Sequence, residues 1–571
     1  MELITTRQRL RRHFPALIFF TAAAVFLFWR APFGYCYQDE AFLASLAARI
    51  LHGDVPLLDE WNGAQNTGVL LLPVYALAEK LLGGTEGILL AMRRVYCILY
   101  LLSLIFLWVK LAPCGRARYA AAAYMLLFSP LDYMTLSYTS ISLMCVTAIA
   151  AVTYADVIEA NGSPVKTGLT LGVLMTAAVL SYPHLLLLFA LYVLLLSAGA
   201  VYYKRRLNGT RAVYLLRLLG TMLAVTAFFA AAYLSFILLK RDGRPLIENI
   251  AEIFNDPQHH SKGAIDALIQ ICYFIGIQGV GWIYPVGMIL LTLAALLPLK
   301  HRDALRPVFL AVGAGLFIYS ILPLFISPRL RLNEQMMNIT FLGALAYALM
   351  DNRPRKLFYS FYGISAVYTY AVFMGSNTAI MAISMGMSVA GIAAVIILLL
   401  LRRELAESGR GCAKKAAAVL AALAVLVQLA LEVRVRFDYT YYDDTLSALS
   451  ETIERGPAKG IRTGAANKAE YDGALNAFDS LMHGRERRGK TLMSVTEVIS
   501  LCADMELCTY STWLRGMSTA QMWARQERYF ELNGKDTPDY IFFDEYTPYD
   551  IVIDGYDVFE HGKYTLLVKS Q

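Results

Sequence analysis

The sequence predicts a helical polytopic membrane protein that carries a small α/β domain at its C-terminal end. Hydrophobic residues make up 57% of the 571 residues and charged residues only 17%, and the mean hydropathy is +0.50. Soluble domains are closer to one-half apolar and one-quarter charged. Up to residue 432 the apolar residues form long runs between short basic loops, as a bilayer requires. The chain therefore divides into a membrane domain, 1–432, and a soluble domain, 433–571.

About thirteen apolar runs have the length and composition of membrane helices. They lie near 14–31, 92–111, 119–130, 138–156, 165–181, 183–203, 213–239, 279–299, 307–327, 336–350, 357–374, 378–401 and 416–432. A further segment, 68–82, is shorter, contains Pro73 and ends with Glu79 and Lys80. This segment either spans the membrane or lies at its surface.

The distribution of basic residues decides between these two topologies. If 68–82 does not span, all the basic loops fall on the same side as the basic N-terminus, and if it spans they all fall outside. The clusters are Arg116 and Arg118; Lys204, Arg205, Arg206 and Arg211; Lys300, Arg302 and Arg306; Arg353, Arg355 and Lys356; and Arg402, Arg403, Lys414 and Lys415. The positive-inside rule therefore predicts a cytoplasmic N-terminus and an extracytoplasmic C-terminal domain in the cell membrane.

The net charge of +7 does not indicate a nucleic-acid partner. Its Lys and Arg residues lie between hydrophobic runs, where they act as topology signals, and no basic stripe with interleaved aromatic residues is present. Membrane lipid is the expected contact of these residues.

The first external loop, 32–91, contains a second predicted helix. From Ala41 to His52 apolar residues recur at helical spacing, and Ser45, Arg49 and His52 form a narrow polar stripe. A helix with a wide apolar face and a narrow polar stripe is typical of a membrane interface. We expect Ala41–His52 to lie flat on the membrane, and 68–82 to be a second interfacial segment.

Two acidic pairs frame this helix. Asp39-Glu40 follows the first span directly, and Asp59-Glu60 comes twenty positions later. A carboxylate partly shielded from water can act as a general base towards a hydroxyl or amine, and it can also coordinate a divalent cation. The alternative is a solvated loop that happens to be acidic. Two pairs around one helix favour a site, with Asp39 and Glu40 as catalytic candidates and Asp59 and Glu60 as supporting ones.

Three other groups are candidate site residues in predicted external loops. Asp132, in Ser-Pro-Leu-Asp-Tyr, lies at the outer end of a helix and should face water or a cavity, because an Asp in hydrocarbon is costly. Arg329 and Arg331 lie outside against the positive-inside trend, and a guanidinium binds phosphate oxygens bidentately. Lys262 lies in the basic loop 240–262 and can also bind phosphate, as a point charge, or contact head groups non-specifically.

The C-terminal domain alternates short strand-like and helical pieces without a catalytic motif. Strands are predicted at 459–463, 491–495, 540–543, 551–553 and 564–568, and a helix at 469–482. Cys502 and Cys508 are six residues apart and could form a disulfide in an oxidising compartment. No zinc or haem motif is present, so no cofactor is assigned beyond a divalent cation that the acidic pairs could hold.

Together these features resemble the GT-C superfamily of polyprenyl-phosphate-sugar glycosyltransferases, in particular the protein O-mannosyltransferase and aminoarabinose-transferase branch. The resemblance is carried by Asp39-Glu40 after the first helix, by the helix Ala41–His52 with Gly53-Asp54, and by the Pro73 segment. Glu86-Gly87, Arg93 and Asp132 complete it. It covers about the first 150 residues; the His/Lys-Pro-Pro stretch usual after the acidic pair is replaced by Trp61 to Gln65.

The resemblance implies a GT-C membrane fold and an inverting transfer of sugar from a polyprenyl-phosphate donor on the outer face, with Asp39 as the base. It adds Arg93 to the candidate phosphate-binding residues. The acceptor would be an envelope glycan, lipid or protein, and a bacterial inner membrane is favoured over the endoplasmic reticulum. Two alternatives remain open: a transporter or flippase of lipid-linked sugars, and a non-catalytic envelope assembly protein.

Overall fold

The computed structural model describes most of the chain. The described residues are 2–37, 39–128, 134–206, 209–256, 262–277, 283–297, 302–326, 332–376, 378–407, 412–440, 442–514, 519–544 and 555–570. The predicted sites Asp132, Arg329 and Arg331 and the predicted strand 551–553 lie outside these residues.

Up to Asp438 the described chain is helical. Its α-helices are α1 (Glu2–Arg30), α2 (Asp39–Leu51), α3 (Asn66–Leu82), α4 (Ile88–Lys110), α5 (Ala117–Leu127), α6 (Tyr138–Val152), α7 (Pro164–Ser181), α8 (Leu186–Arg205), α9 (Gly209–Lys240), α10 (Leu246–Phe254), α11 (Ala264–Ile277), α12 (Ile283–Leu296), α13 (Arg302–Ile326), α14 (Leu332–Leu349), α15 (Arg355–Met374), α16 (Ile380–Glu407) and α17 (Cys412–Asp438). A π-helical turn, Thr153–Val157, continues α6.

Among the described residues, eight helices are long and apolar enough to cross a membrane. They are Ile88–Lys110, Tyr138–Val157, Pro164–Ser181, Pro183–Arg205, Gly209–Lys240, Leu305–Leu322, Arg355–Met374 and Ile380–Glu407, and four shorter apolar helices accompany them. The predicted architecture, a helical membrane protein with a small C-terminal sheet domain, is confirmed. Helix α11 was not predicted, and α17 continues past the predicted domain boundary at residue 432.

The segment 68–82 forms most of helix α3, which is continuous through Pro73 and is not among the candidate spans. It packs closely against α2. A Cβ atom on Gly68 would lie 2.7 Å from the carbonyl oxygen of Leu46, so the two backbones touch and only glycine fits. The first loop is therefore a compact helical pair rather than an extended connection.

The C-terminal domain is a small α/β unit. Its elements are β1 (Glu451–Thr452), β2 (Arg462–Thr463), α18 (Ala465–Leu481), β3 (Thr491–Ser494), α19 (Glu497–Cys502), β4 (Glu506–Leu507), α20 (Thr519–Asn533), β5 (Tyr540–Phe543), β6 (Tyr556–His561) and β7 (Tyr564–Lys569). The main sheet has the order β4-β3-β5-β7-β6, with β3 parallel to β4 and β5 and the remaining pairs antiparallel. Cys502 and Cys508 are free thiols.

The C-terminal domain contacts the membrane bundle where α1 and α17 end. Arg30, at the end of α1, donates to the carbonyl oxygens of Arg436 and Tyr439 at 3.3 and 2.8 Å. Gly34 has a φ of +83°, and a Cβ there would lie 2.6 Å from the Cβ of Thr440. Close packing of the Gly34 backbone on the Thr440 side chain therefore joins the start of the first loop to the start of the C-terminal domain.

The long helices connect two chemically different ends of the bundle. Helix α15 begins at Arg355 among basic loops and ends at Met374 beside Lys262. Its 20 residues rise about 30 Å, the thickness of a bilayer core. The acidic pairs lie at the Lys262 end. Which end faces the cytoplasm stays a prediction.

Candidate functional site

Helix α2 begins with the first acidic pair, but the two carboxylates have different surroundings. Asp39 and Glu40 occupy the first turn, where the helix dipole favours negative charge. Asp39 is partly exposed, whereas Glu40 retains only 2% of its exposure. The pair therefore offers one reachable carboxylate and one enclosed carboxylate.

Glu40 is held by Arg93 from α4. The Nε of Arg93 donates to Glu40 Oε1 at 2.7 Å and one terminal nitrogen donates to Oε2. The other terminal donors reach the backbone oxygens of Ala31, Phe33 and Gly34. A guanidinium has five N–H donors, so those of Arg93 are all directed to protein oxygens. This geometry supports a structural role for Arg93 rather than the predicted phosphate contact.

Asp59, in the second pair, is enclosed by three distant parts of the chain. Its Oδ1 lies 2.7 Å from Arg244 and 2.8 Å from Lys535, and it accepts a hydrogen bond from the Tyr529 hydroxyl at 3.2 Å. Its Oδ2 accepts from the backbone N–H of Val55 at 2.8 Å. Asp59 thus joins the first loop to the loop after α9 and to the C-terminal domain.

Glu60 makes a parallel set of contacts with the C-terminal domain. Its Oε2 accepts from Arg49 at 2.9 Å, and from the backbone N–H and hydroxyl of Thr512 at 3.0 and 3.2 Å. Arg49 also donates to Asp54 at 2.5 Å and to the carbonyl oxygen of Thr509 at 2.9 Å. The polar stripe predicted at Arg49 therefore faces protein instead of solvent.

These contacts form a closed set of charges that we call the docking cluster. It contains three cations and three anions, namely Arg49, Arg244, Lys535, Asp54, Asp59 and Glu60. Burial alone would raise the pKa of Asp59, but Lys535 and Arg244 outweigh it and hold that pKa below its ordinary value. Burial raises the pKa of Asp54 despite Arg49. Because every charge has a partner, the cluster can be buried.

The apolar face of helix α2, which the sequence pattern assigned to the membrane interface, is covered by other parts of the protein. Its residues from Glu40 to Arg49 are all buried, because α3 covers one side and α19 of the C-terminal domain covers another. Phe42 packs edge-on against Trp513, with ring centroids 5.5 Å apart. The wide apolar face is therefore a domain interface, a possibility that helical periodicity cannot separate from a lipid-facing surface.

Asp39 faces an aromatic surface formed by the ends of other helices. The hydroxyl of Tyr138, at the start of α6, is within its electrostatic range. The Tyr138 ring lies 5.8 Å from that of Tyr182, which lies 6.0 Å from the His184 imidazole. A Cβ on Gly375 would lie 2.4 Å from Nδ1 of His184, so the imidazole packs directly on the turn after α15.

Lys262 lies next to the same imidazole. Its Nζ donates to the carbonyl oxygens of Phe373, at 3.0 Å, and Ser376, and lies 4.3 Å from the centre of the Phe373 ring. A cation is favoured at the C-terminal end of α15 by the helix dipole. Burial lowers the pKa of Lys262. An ammonium has three donors, so one remains for a ligand. Asp39, Tyr138, Tyr182, His184 and Lys262 are called the Asp39 rim below.

The rim contains three residues that the sequence analysis did not single out, Tyr138, Tyr182 and His184. One local signal was available for Tyr138: Ser137 and Ser140 form a capping box that fixes the start of α6 at this tyrosine. Among the residues that the structure describes, no group of three or more His, Cys, Asp or Glu side chains is arranged to hold a metal ion.

Comparisons with known proteins find a likeness at the level of structure. No protein-family model matches the chain, and no curated protein matches it either. The chain is similar in structure to the crystal structure of the Archaeoglobus fulgidus oligosaccharyltransferase in complex with zinc and sulfate, with a TM-score of 0.47 and 12% sequence identity. The match covers 92% of this chain and 68% of that chain. The zinc and sulfate belong to that protein, and nothing about the ligands of this chain follows from them.

Proposed function

We propose that this protein is a membrane glycosyltransferase that moves a sugar from a polyprenyl-phosphate donor to an acceptor at the outer face of the membrane, with Asp39 as general base. One observation carries the proposal. Of the four carboxylates in the two acidic pairs, Asp39 alone is partly exposed, whereas Glu40, Asp59 and Glu60 retain 2%, 2% and 5% of their exposure.

A general base must come within about 2.6–3.2 Å of the group whose proton it takes. The oxygens of Glu40, Asp59 and Glu60 are enclosed by arginine, lysine and backbone donors, so an acceptor substrate would have to displace those partners. Asp39 is partly exposed, so an acceptor can approach its side chain from solvent. We therefore assign Glu40 and Arg93 a positioning role: their ion pair fixes the first turn of α2, and with it the direction of Asp39.

The proposed step is a direct displacement at the anomeric carbon. The acceptor oxygen or nitrogen forms a bond to that carbon, its proton passes to Asp39, and the bond from the carbon to the phosphate oxygen breaks. The electron pair leaves with the polyprenyl phosphate, so charge and protons balance and the configuration inverts. Removal of the proton matters because a neutral hydroxyl is a weak nucleophile.

Lys262 is the described residue best suited to hold the donor phosphate. It lies on the same rim as Asp39, and its remaining donor can bind a phosphate oxygen. The predicted contributions of Arg329, Arg331 and Asp132 remain part of the proposal as sequence predictions. The acceptor class proposed is an envelope glycan, lipid or protein. A divalent cation, where the reaction uses one, would be held at Asp39, because this carboxylate of the two pairs is partly exposed.

The test is an assay of the purified full-length protein with a panel of radiolabelled polyprenyl-phosphate hexoses and pentoses. We expect release or transfer of the sugar from at least one donor, and loss of that activity in Asp39→Asn. Asp479→Asn is the matched control, because it makes the same substitution at an exposed carboxylate of the C-terminal domain. Wild-type activity at the level of a protein-free control for every donor would instead favour a transporter or an assembly protein.

A further inference from the structure

A large cavity lies at the end of the bundle opposite the Asp39 rim. Its volume is about 730 Å³, and it is bounded by the loop after α4, the π-helical turn after α6, the start of α15 and the end of α16. We call it the basic cavity. Its charged lining residues are Arg116, Glu159, Arg353, Arg355, Lys356 and Arg403. The proposed glycosyl transfer does not use this cavity.

The lining of the basic cavity is strongly cationic. Five basic side chains line it, against one acidic side chain, Glu159. Lys356 pairs with Glu159, and Arg403 pairs with Glu407 along its own helix. No described acidic group is paired with the side chains of Arg116 and Arg355, which are both exposed. Two guanidinium groups therefore face the cavity without an anion from the described part of the protein.

A third arginine is only partly satisfied. Arg353 donates one hydrogen bond, at 2.9 Å, to the carbonyl oxygen of Ala348, and its guanidinium lies 5.9 Å from the centre of the Tyr347 ring. Its Nε is buried without a hydrogen-bond partner among the described residues. A buried donor without an acceptor costs roughly 1–3 kcal/mol. An anionic ligand in the cavity would relieve this cost.

Two backbone features add to this preference for an anion. Helix α15 begins at Arg355 inside the cavity, and no side chain caps its N-terminus, where free N–H groups attract negative charge. On the facing wall, Tyr154 and Ala155 belong to the π-helical turn Thr153–Val157. Such turns are rare and are frequent at functional sites.

We propose that the basic cavity binds the phosphate of an anionic membrane lipid. The cations select a phosphoryl anion, because guanidinium groups bind phosphate oxygens in a bidentate geometry. The leucines Leu357, Leu399 and Leu400 line the same cavity and provide an apolar wall for the start of an acyl chain. Basic pockets between membrane helices bind lipid head groups in this way. A soluble phosphate compound shares the head-group chemistry but would not use the leucines.

The test uses the purified full-length protein, delipidated in detergent and titrated with phosphatidylglycerol or with zwitterionic phosphatidylcholine while bound lipid is counted by native mass spectrometry. We expect one phosphatidylglycerol to bind in preference to phosphatidylcholine. The variant Arg116→Gln/Arg355→Gln should weaken that binding about tenfold or more, because each arginine contributes charge-assisted hydrogen bonds. Both residues are exposed, so folding should be retained, and the thermal unfolding midpoint checks this.

Lys204→Gln/Arg205→Gln is the matched control, because it removes two exposed positive charges from the same end of the bundle, outside the cavity. The phosphatidylglycerol titration is also repeated with added inorganic phosphate as a competitor. Unchanged lipid binding in the control variant supports the site, and a failure of inorganic phosphate to compete identifies the lipid as its ligand. Full competition by inorganic phosphate would support the anion site with a soluble phosphate as its ligand. Equal weakening in both double variants, or none in Arg116→Gln/Arg355→Gln, would overturn the proposal.

Discussion

The two acidic pairs of the first loop have the same composition but different surroundings. In Asp39-Glu40, one carboxylate is enclosed by Arg93 and the other remains reachable beside Tyr138. In Asp59-Glu60, both carboxylates are enclosed by cations and bind the C-terminal domain. A buried carboxylate with a complete set of partners holds parts of the chain together, whereas the partly exposed Asp39 is the carboxylate to which we assign the proposed chemistry.

The C-terminal domain makes this division possible. Arg49 binds the carbonyl oxygen of Thr509, 460 residues further along the chain, and Glu60 binds Thr512. These contacts close the surface that α2 would otherwise present to solvent or lipid. We infer that the domain acts as a structural cover for the first loop and so fixes the position of the Asp39 rim.

The largest effect on stability is expected at the enclosed member of the first pair. Glu40→Gln leaves the charge of Arg93 buried without its counter-ion, and breaking a buried pair typically costs about 3–5 kcal/mol. The thermal unfolding midpoint of the detergent-solubilised protein should therefore fall clearly. Asp479→Asn, which removes an exposed partner of Arg455, should change the free energy of unfolding by only about 0–1 kcal/mol. Equal midpoints for the two variants would contradict the structural role of Glu40.

On the reachable side, Lys262→Met should weaken donor binding. It removes a charge-assisted contact to phosphate worth roughly 1.5–3 kcal/mol, so the donor KM should rise about tenfold or more while kcat changes little. Steady-state kinetics with varied donor measures both constants. Lys459→Met is a suitable control, because Lys459 forms an exposed ion pair with Glu86 in the same half of the molecule. A donor KM equal to that of the control variant would show that Lys262 does not bind the donor phosphate.

The docking cluster should show energetic coupling across the domain interface. In a double-mutant cycle of Asp59→Asn and Lys535→Met, each single change leaves a buried group unpaired and the double change removes both. We expect a coupling energy of about 0.5–3 kcal/mol in the free energy of unfolding. Additive effects would mean that the 2.8 Å contact between the two residues does not hold the domain in solution.

The smallest effect expected is a pH dependence of docking. The folded pKa of Asp59 is lowered, so its contribution to stability is present above its unfolded pKa, about 4, and is lost as the pH falls through the folded value. The folded pKa of Asp54 is raised, so its contribution to the free energy of unfolding increases as the pH falls, opposite to that of Asp59. The protection factors of amide hydrogens in 53–65 and 507–512, corrected for the pH dependence of intrinsic exchange, should fall below about pH 4. Asp59→Asn should lack this acid transition, and an unchanged transition would assign it elsewhere.

Local patterns predicted the helices well because hydrophobic periodicity and run length are local properties. Helix α2 and most spans follow from these two properties. Helix α11 was missed because its apolar run is short and its first turn contains Asp266. The burial of Arg49 was unpredictable for a different reason. Its partner Thr509 is remote in sequence, and no local pattern reports a contact of that separation. The phosphate role of Arg93 came from the family resemblance, and its contacts with carbonyl oxygens about 60 residues away could not be predicted from a local pattern.

The central claim is that Asp39 performs chemistry while Asp59 holds the domains together. Asp39→Asn and Asp59→Asn should therefore be compared for single-turnover rate at saturating donor and for thermal unfolding midpoint. We expect Asp39→Asn to lower the rate by about 10²-fold or more with an unchanged midpoint. Asp59→Asn should lower the midpoint and keep most of the rate in the protein that remains folded. The reverse pattern, with the rate abolished in folded Asp59→Asn and retained in Asp39→Asn, would contradict the account.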